Sequence, residues 1–259
     1  MTTTSPPRIA VSGVPGRLAS AIARAVIESD DLELGTVFNP ARVGQDWNGL
    51  AYVGRYSDIE ADVVVEAGPT SAVMDNLAGW RALGVATVVG TSGFTAERVT
   101  AVERLWGEGQ PACLIVPNFS IGAVLAGRFA ELAAAHFETV EVIERHGAHK
   151  PDAPSGTALH TAGRVGAAGG RSASRGGEEL APGALGGDVG GVRVHSLRLA
   201  GVLAHQEVAM SNDGEQLSIV HHSTSYSSFA NGALAAVRAV GDLAGVSVGL
   251  DAILGVDNG

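Results

Sequence analysis

The stretch ERHGAHKPDAPSGTAL, residues 144–159, gathers two histidines, a lysine, an aspartate, a serine and a threonine. Lys150 is the only lysine in a chain that carries 16 arginines. Arginine holds its proton near neutral pH, whereas a partly desolvated lysine can release it. A lysine kept here, where arginine serves everywhere else, points to a proton that has to move. Beside a carboxylate substrate it would also stabilise charge. Asp152 reads as a partner for Lys150 or as a residue that fixes the loop, and His149 as a loop histidine. Pro154 followed by SGTALHTAG reads as a helix start, with backbone N–H groups available to an anion. Ser155 can cap that helix.

A second motif, VSGVPGRLAS, follows the first strand and opens a helix on which Leu18, Ile22 and Val26 recur every four residues. Gly13 and Gly16 let backbone approach a pyrophosphate at the helix N-terminus, and Ala19 stands where a third glycine often stands. The second strand ends at Asn39, where an NAD-binding layer places an acid for the ribose hydroxyls. Asn39 has no charge to repel a 2′-phosphate and Arg42 follows closely, so NADPH is favoured over NADH as cofactor. GTSGF (90–94) and VPNFSIG (116–122) also come at strand ends, the edge where doubly wound sheets bind ligands.

These motifs need elements to carry them. RIAVSG, LELGTVF, ADVVVEAG, VATVVGTSG and PACLIVPNF read as strands of a parallel sheet. SAVMDNLAGWRAL and TAERVTAVERLWG read as helices between the later ones. From about residue 119 a helix, IGAVLAGRFAELAAAHF, leads into the strand TVEVIE and the stretch at 144–159. Residues 166–191 hold ten glycines and read as a mobile loop. VRVHSLRLAG, HQEVAMS and QLSIVHH read as antiparallel strands, the last two joined by the turn NDG. The expected fold is α/β: a Rossmann-like doubly wound parallel sheet with a second α+β domain carrying a mixed or antiparallel sheet. Residues 1–118 form the dinucleotide-binding domain, completed by a C-terminal helix over 228–259. Residues 119–227 form the substrate-binding and oligomerisation domain.

Composition narrows the partners. With 46% hydrophobic and 17% charged residues, the chain is that of a globular protein. A net charge of -10 argues against nucleic acid or anionic membrane, which need a basic footprint. No signal-like N-terminus and no long apolar run are present, so a cytoplasmic location is expected. Cys113, within ACLIV, reads as a buried inert thiol. No metal site is assigned.

Taken together, GVPGR, GTSGF, PNFSIG, ERHGAHKPDAPSGTAL, RLAGVLAHQEV and SSFANGALAAV resemble the dihydrodipicolinate reductase family, in its order and over nearly the whole chain. The resemblance implies hydride transfer from NADPH or NADH to a cyclic, imine-type dicarboxylate of lysine and diaminopimelate biosynthesis. It implies His146 as acid/base residue, Lys150 as proton donor, and Ser155, Gly156 and Thr157 as contacts for a substrate carboxylate. The cofactor would lie along Gly13, Pro15, Gly16, Arg17 and Leu18, then Asn39 and Arg42, then Gly90, Thr91 and Ser92, and Pro117, Asn118 and Phe119. A homotetramer built through the sheet of the second domain is also implied.

Three positions depart from the family pattern: Gly147 for a second histidine, Glu66-Ala67-Gly68 for the usual DFT, and Tyr226 for an arginine. Losing one polar substrate contact costs on the order of 1–3 kcal/mol, so the chemistry is expected to be kept and the recognition altered. Two alternatives follow, a paralogue that reduces another cyclic imine or enamine and a non-catalytic cofactor-binding protein. A hydrolase using Ser155 lacks the strand-turn-helix elbow such a nucleophile needs.

Overall fold

The computed structural model describes residues 5–174 and 178–256. Its chain divides into two compact units, residues 1–121 with 226–259, and residues 122–225.

In the first unit, β1 (Arg8–Ser12), β2 (Glu33–Phe38), β3 (Asp46–Trp47), β4 (Leu50–Val53), β5 (Val63–Glu66), β6 (Ala86–Val89) and β7 (Cys113–Ile115) build a sheet with helices α1 (Arg17–Ile27), α2 (Val73–Leu83) and α3 (Ala96–Trp106). The central runs β1, β5, β6 and β7 are short, apolar and buried on both faces, as a sheet covered on both sides requires. The strand order is β13-β7-β6-β5-β1-β2-β4-β3, with β13 being Val246–Val248. All neighbours run parallel except the β3–β4 hairpin. The chain leaves β1 towards β2 on one side and returns to β5 on the other, so β1 and β5 flank the topological switch point. One side of the sheet carries a core of Trp80, Trp106, Leu77, Val64 and Ile115.

In the second unit, α4 (Ile121–Ala134), β8 (Thr139–Gly147), α5 (Gly156–Ala167), β9 (Gly187–Val189), β10 (Val192–Leu199), β11 (Ala204–Asn212) and β12 (Glu215–Ser223) form a five-stranded sheet, order β12-β11-β8-β10-β9, with two helices. Alternate residues of the strands meet the helices in a core of Val140, Val142, Val194, Val208, Ala130 and Ala162. The helix α6 (Ser227–Val240) then returns the chain to the first unit. Among the described residues, no helix is long and apolar enough to cross a membrane.

Three expectations need correction, and one hairpin was not foreseen. β10 pairs in parallel with β8, because α5 carries the chain back along the sheet between them, and antiparallel with β9; β11 and β12 pair antiparallel as read. The helix expected over 228–259 stops at Val240, and β13 then pairs with β7 through residues too few to show as a strand in sequence. Within 166–191, α5 continues to Ala167 and Gly187–Val189 is a strand, while residues 175–177 lie outside the described residues. The β3–β4 hairpin was missed, although Asn48 (φ 53°) and Gly49 (φ 82°) are the Asn-Gly pair that such turns favour.

Glu66, the last residue of β5, is fully buried. Its carboxylate accepts from the Gly68 N–H (2.8 Å), Asn76 Nδ2 (3.0 Å) and Trp80 Nε1 (3.0 Å), and so ties α2 to the sheet. Removing the acceptor orphans three donors. Since an orphaned buried donor costs about 1–3 kcal/mol, Glu66→Ala should lower stability by roughly 3–5 kcal/mol in urea unfolding followed by tryptophan fluorescence.

Candidate active site

The parallel strands of the first unit all end on one edge, and the predicted cofactor residues of that unit gather there. Gly13 follows β1 with φ 98°, a left-handed value that favours glycine. A Cβ on it would lie 2.3 Å from the carbonyl oxygen of Ala67, so the turn after β1 packs directly on the turn after β5. Gly16 precedes α1 without a side-chain cap, and the first turn of α1 has no acid. That leaves a helix N-terminus suited to a pyrophosphate, with Pro15 and Arg17 exposed beside it and Leu18 half-buried. Arg17 lies over the ring of Tyr226, 5.1 Å from its centroid. Tyr226 therefore occupies its position as a platform for a cation.

Asn39 is less open to a cofactor than its place suggests. Its Nδ2 donates to the Val14 carbonyl (2.8 Å) and its Oδ1 accepts from the Ala41 N–H (3.1 Å), which holds the glycine turn against the end of β2. Arg42 is exposed, with Nη1 on Gln45 Oε1 at 3.1 Å. Thr91 is buried, and its hydroxyl reaches the carbonyls of Glu66 (3.3 Å) and Gly68 (3.1 Å), whereas Ser92 is exposed. Asn118 accepts from the Ser120 N–H at 2.8 Å, Pro117 is exposed, and the buried Phe119 ring lies against Gly90. Glu66 turns its carboxylate into the interior, so the Glu66-Ala67-Gly68 departure presents backbone at the sheet edge. Cys113 is buried, and burial pushes its thiol up to about 12.

In the second unit, β8 ends at His146–Gly147 and the loop to α5 carries Lys150. The Lys150 N–H closes a turn on the Gly147 carbonyl (3.0 Å), and its Nζ pairs with Asp152 at 2.8 Å. The hydrogen bond from Lys150 holds the Asp152 carboxyl below its ordinary range. His149 is exposed. Ser155 caps α5, its hydroxyl accepting from the Ala158 N–H at 3.2 Å, with Gly156 and Thr157 as the first helical residues.

The residue that organises this loop was not predicted. Glu144 is fully buried on β8, two residues before His146 and hence on the same face. His146 Nδ1 contacts its Oε2, Arg198 Nη1 lies 3.0 Å from Oε1, and the Ser155 N–H donates to Oε1 at 3.3 Å. Arg198 also reaches the Asp152 carbonyl through Nη2. Burial alone would raise the Glu144 pKa, but hydrogen bonds from Ser196, His146 and Arg198 outweigh it and hold the carboxyl below the usual range. The Glu-x-His spacing on a strand was a visible signal for this pair. Arg198, 54 residues away from Glu144, left none.

Residues 7–119 match the family model described as "Dihydrodipicolinate reductase, N-terminus", and residues 122–254 match "Dihydrodipicolinate reductase, C-terminus". The chain belongs to the dihydrodipicolinate reductase family. Its relatives include the 4-hydroxy-tetrahydrodipicolinate reductases of Nocardia farcinica, 47% identical over 254 residues (95% of this chain, 98% of the relative), and Streptomyces griseus, 42% identical over 259 residues (95% and 97%). A solved "Dipicolinate bound Dihydrodipicolinate reductase" from Paenisporosarcina sp. TG-14 superposes with a TM-score of 0.82 at 29% identity, covering 96% of this chain and 99% of that one. A probable dehydrogenase from Thermotoga maritima, 11% identical with a TM-score of 0.62, shares the fold alone.

The carboxyls of the chain do not all respond alike to acid. Glu131 is lowered: burial would raise it, but hydrogen bonds from Arg128 and Arg164 prevail. Lowered carboxyls such as Glu144, Glu131 and Asp152 stabilise the fold above the ordinary carboxyl range, and that stability is lost as pH falls through it towards the folded-state values. Glu66, raised by burial, has the reverse sign. A local readout is therefore needed. Hydrogen exchange at the β8 and α5 amides, corrected for intrinsic rate, should lose protection as pH falls from about 5 towards 3.

Proposed function

We propose that this chain reduces 4-hydroxy-tetrahydrodipicolinate in lysine and diaminopimelate biosynthesis. The observation that carries the reading is the loop at 144–159, where a tethered lysine and a carboxylate-held imidazole stand beside the start of a capped helix. The nicotinamide cofactor, NADPH or NADH, supplies the hydride when bound.

The chain's own residues supply position and protons. The pyrophosphate fits the uncapped start of α1, along Gly13, Pro15, Gly16, Arg17 and Leu18, where the backbone is close and a guanidinium stands near. Gly90, Thr91 and Ser92 with Pro117, Asn118 and Phe119 line the same sheet edge and shape the cofactor's bed. A ring dicarboxylate such as the dipicolinate named for the Paenisporosarcina protein would set one carboxylate at Ser155, Gly156 and Thr157, at the positive end of α5. Lys150 gives its proton to the reduced ring, and Asp152 keeps the ammonium in place until it does. His146 exchanges a proton as acid and base. Residues 1–118 with the C-terminal segment serve the cofactor, and 119–227 serve the substrate and a homotetramer.

Fast oxidation of NADPH by the purified protein with freshly generated 4-hydroxy-tetrahydrodipicolinate is the expected result. Lys150→Ala should lower kcat by about 10²–10⁴-fold, the usual contribution of a positioned proton donor, with folding intact. No oxidation with cofactor binding preserved would overturn this substrate and send the search to other cyclic imines.

NADPH preference is assigned to Arg42. The Asn39 side chain is already bonded to the glycine turn, so the exposed guanidinium is the group left for a 2′-phosphate. Arg42→Ala should reduce the NADPH-to-NADH ratio of kcat/KM about tenfold or more, the worth of a charge-assisted hydrogen bond. An unchanged ratio would reject the assignment.

A further inference from the structure

Glu144 takes no part in the chemistry assigned above, yet three of its donors belong to the three pieces of that site. His146 is the proposed acid and base, Ser155 opens the helix proposed for the substrate carboxylate, and Arg198 bridges to the carbonyl of Asp152, the partner of Lys150. A side chain with no exposure, 0% for Glu144, has no water to share these duties. The contact also has a direction. An ionised carboxylate only accepts hydrogen bonds, so the nitrogen facing it must carry the proton. That nitrogen is Nδ1. Nε2 has no hydrogen bond among the described residues and is left to exchange protons.

We propose that Glu144 is a positioning residue for the reduction: it fixes His146 with its proton on Nδ1, keeps the Nε2 lone pair available, and pins the Lys150 loop through Arg198 and the Ser155 N–H. The inference rests on the reading of His146 as acid and base. When Nε2 takes a proton the ring becomes a cation, and its second N–H already points at a buried negative charge that stabilises it. When Nε2 returns the proton, the ring goes back to the neutral Nδ1–H form. A neutral acceptor in place of Glu144 would orient the ring without offsetting its charge.

Glu144→Gln keeps the shape and tests the charge. The amide oxygen is drawn to the donors Arg198 and Ser155, which turns the NH₂ group to the ring. Nδ1 must then accept, and the proton moves to Nε2. A ring in that form has no lone pair on Nε2, and giving up the Nε2 proton would leave an imidazolate.

The test reads the ring itself in the absence of cofactor and substrate, by ¹⁵N NMR of the histidine side chains, with His146→Gln identifying the signal. Wild type should show a protonated Nδ1 and a lone-pair Nε2, and Glu144→Gln should reverse them. Turnover by Glu144→Gln should fall about 10²–10⁴-fold in kcat, as when a catalytic imidazole is held in the wrong tautomer. The KM for NADPH should stay within about twofold, since uniform cofactor binding is untouched.

An Nε2–H ring in wild type would overturn the proposal without any variant, so it stands testable even if Glu144→Gln fails to fold. A folded Glu144→Gln with kcat within about threefold of wild type would overturn it too. Absence of turnover by wild type, with the Nδ1–H ring present, would instead sink the substrate reading and the catalytic half of the proposal, leaving the ring assignment standing.

Discussion

A carboxylate withdrawn from water must be given donors in water's place, and the candidate site is built around that demand. Glu144 cannot be left with an empty lone pair, so β8, β10 and the start of α5 each send it a hydrogen-bond donor. Placing those donors fixes the exit of β8, the path of the loop and the first turn of α5 at once. The geometry around Lys150 is thus a by-product of satisfying a buried charge six residues earlier in the chain. The same logic recurs at Glu66, whose donors set the Ala67–Gly68 backbone on which the glycine turn rests.

The two carboxylates differ in what surrounds them. Around Glu66 the named donors are neutral N–H groups, and burial wins, raising its pKa. Glu144 has the Ser196 side chain, an imidazole and a guanidinium, and together these win over burial. One site is therefore structural glue between a sheet and a helix, while the other keeps a full negative charge beside groups that handle protons. A buried ion pair of this kind contributes little net stability, so what it secures is geometry.

Much of the fold was legible because its signals are local. VVVE and ATVV are buried on both faces and read as parallel strands without help, and TVEVIE alternates as a half-covered strand must. The glycine turn and the capped start of α5 were equally local. Direction was not: nothing in VRVHSLRL says which way it runs, and only the crossover through α5 makes it parallel to β8. VSV becomes β13 only because β7 offers it an edge. At the site, Lys150 stood out by composition and His146 by motif, whereas Arg198 and the inward turn of Glu66 are products of packing. Asn39 and Tyr226 show the limit of reading roles by position, since one is bonded to the turn and the other lies under Arg17.

The first unit is discontinuous in sequence, and this sets an order on its folding during synthesis. The second unit is one unbroken segment whose strands and helices can close on each other as soon as residue 225 has left the ribosome. The first cannot. Its helix α1 packs against α6, and its sheet is completed by β13, so the α6-facing side of α1 and the outer edge of β7 wait for roughly the last eighth of the chain. Through most of translation the half made first is the half left open, with an apolar face and a free strand edge that sticky neighbours can find.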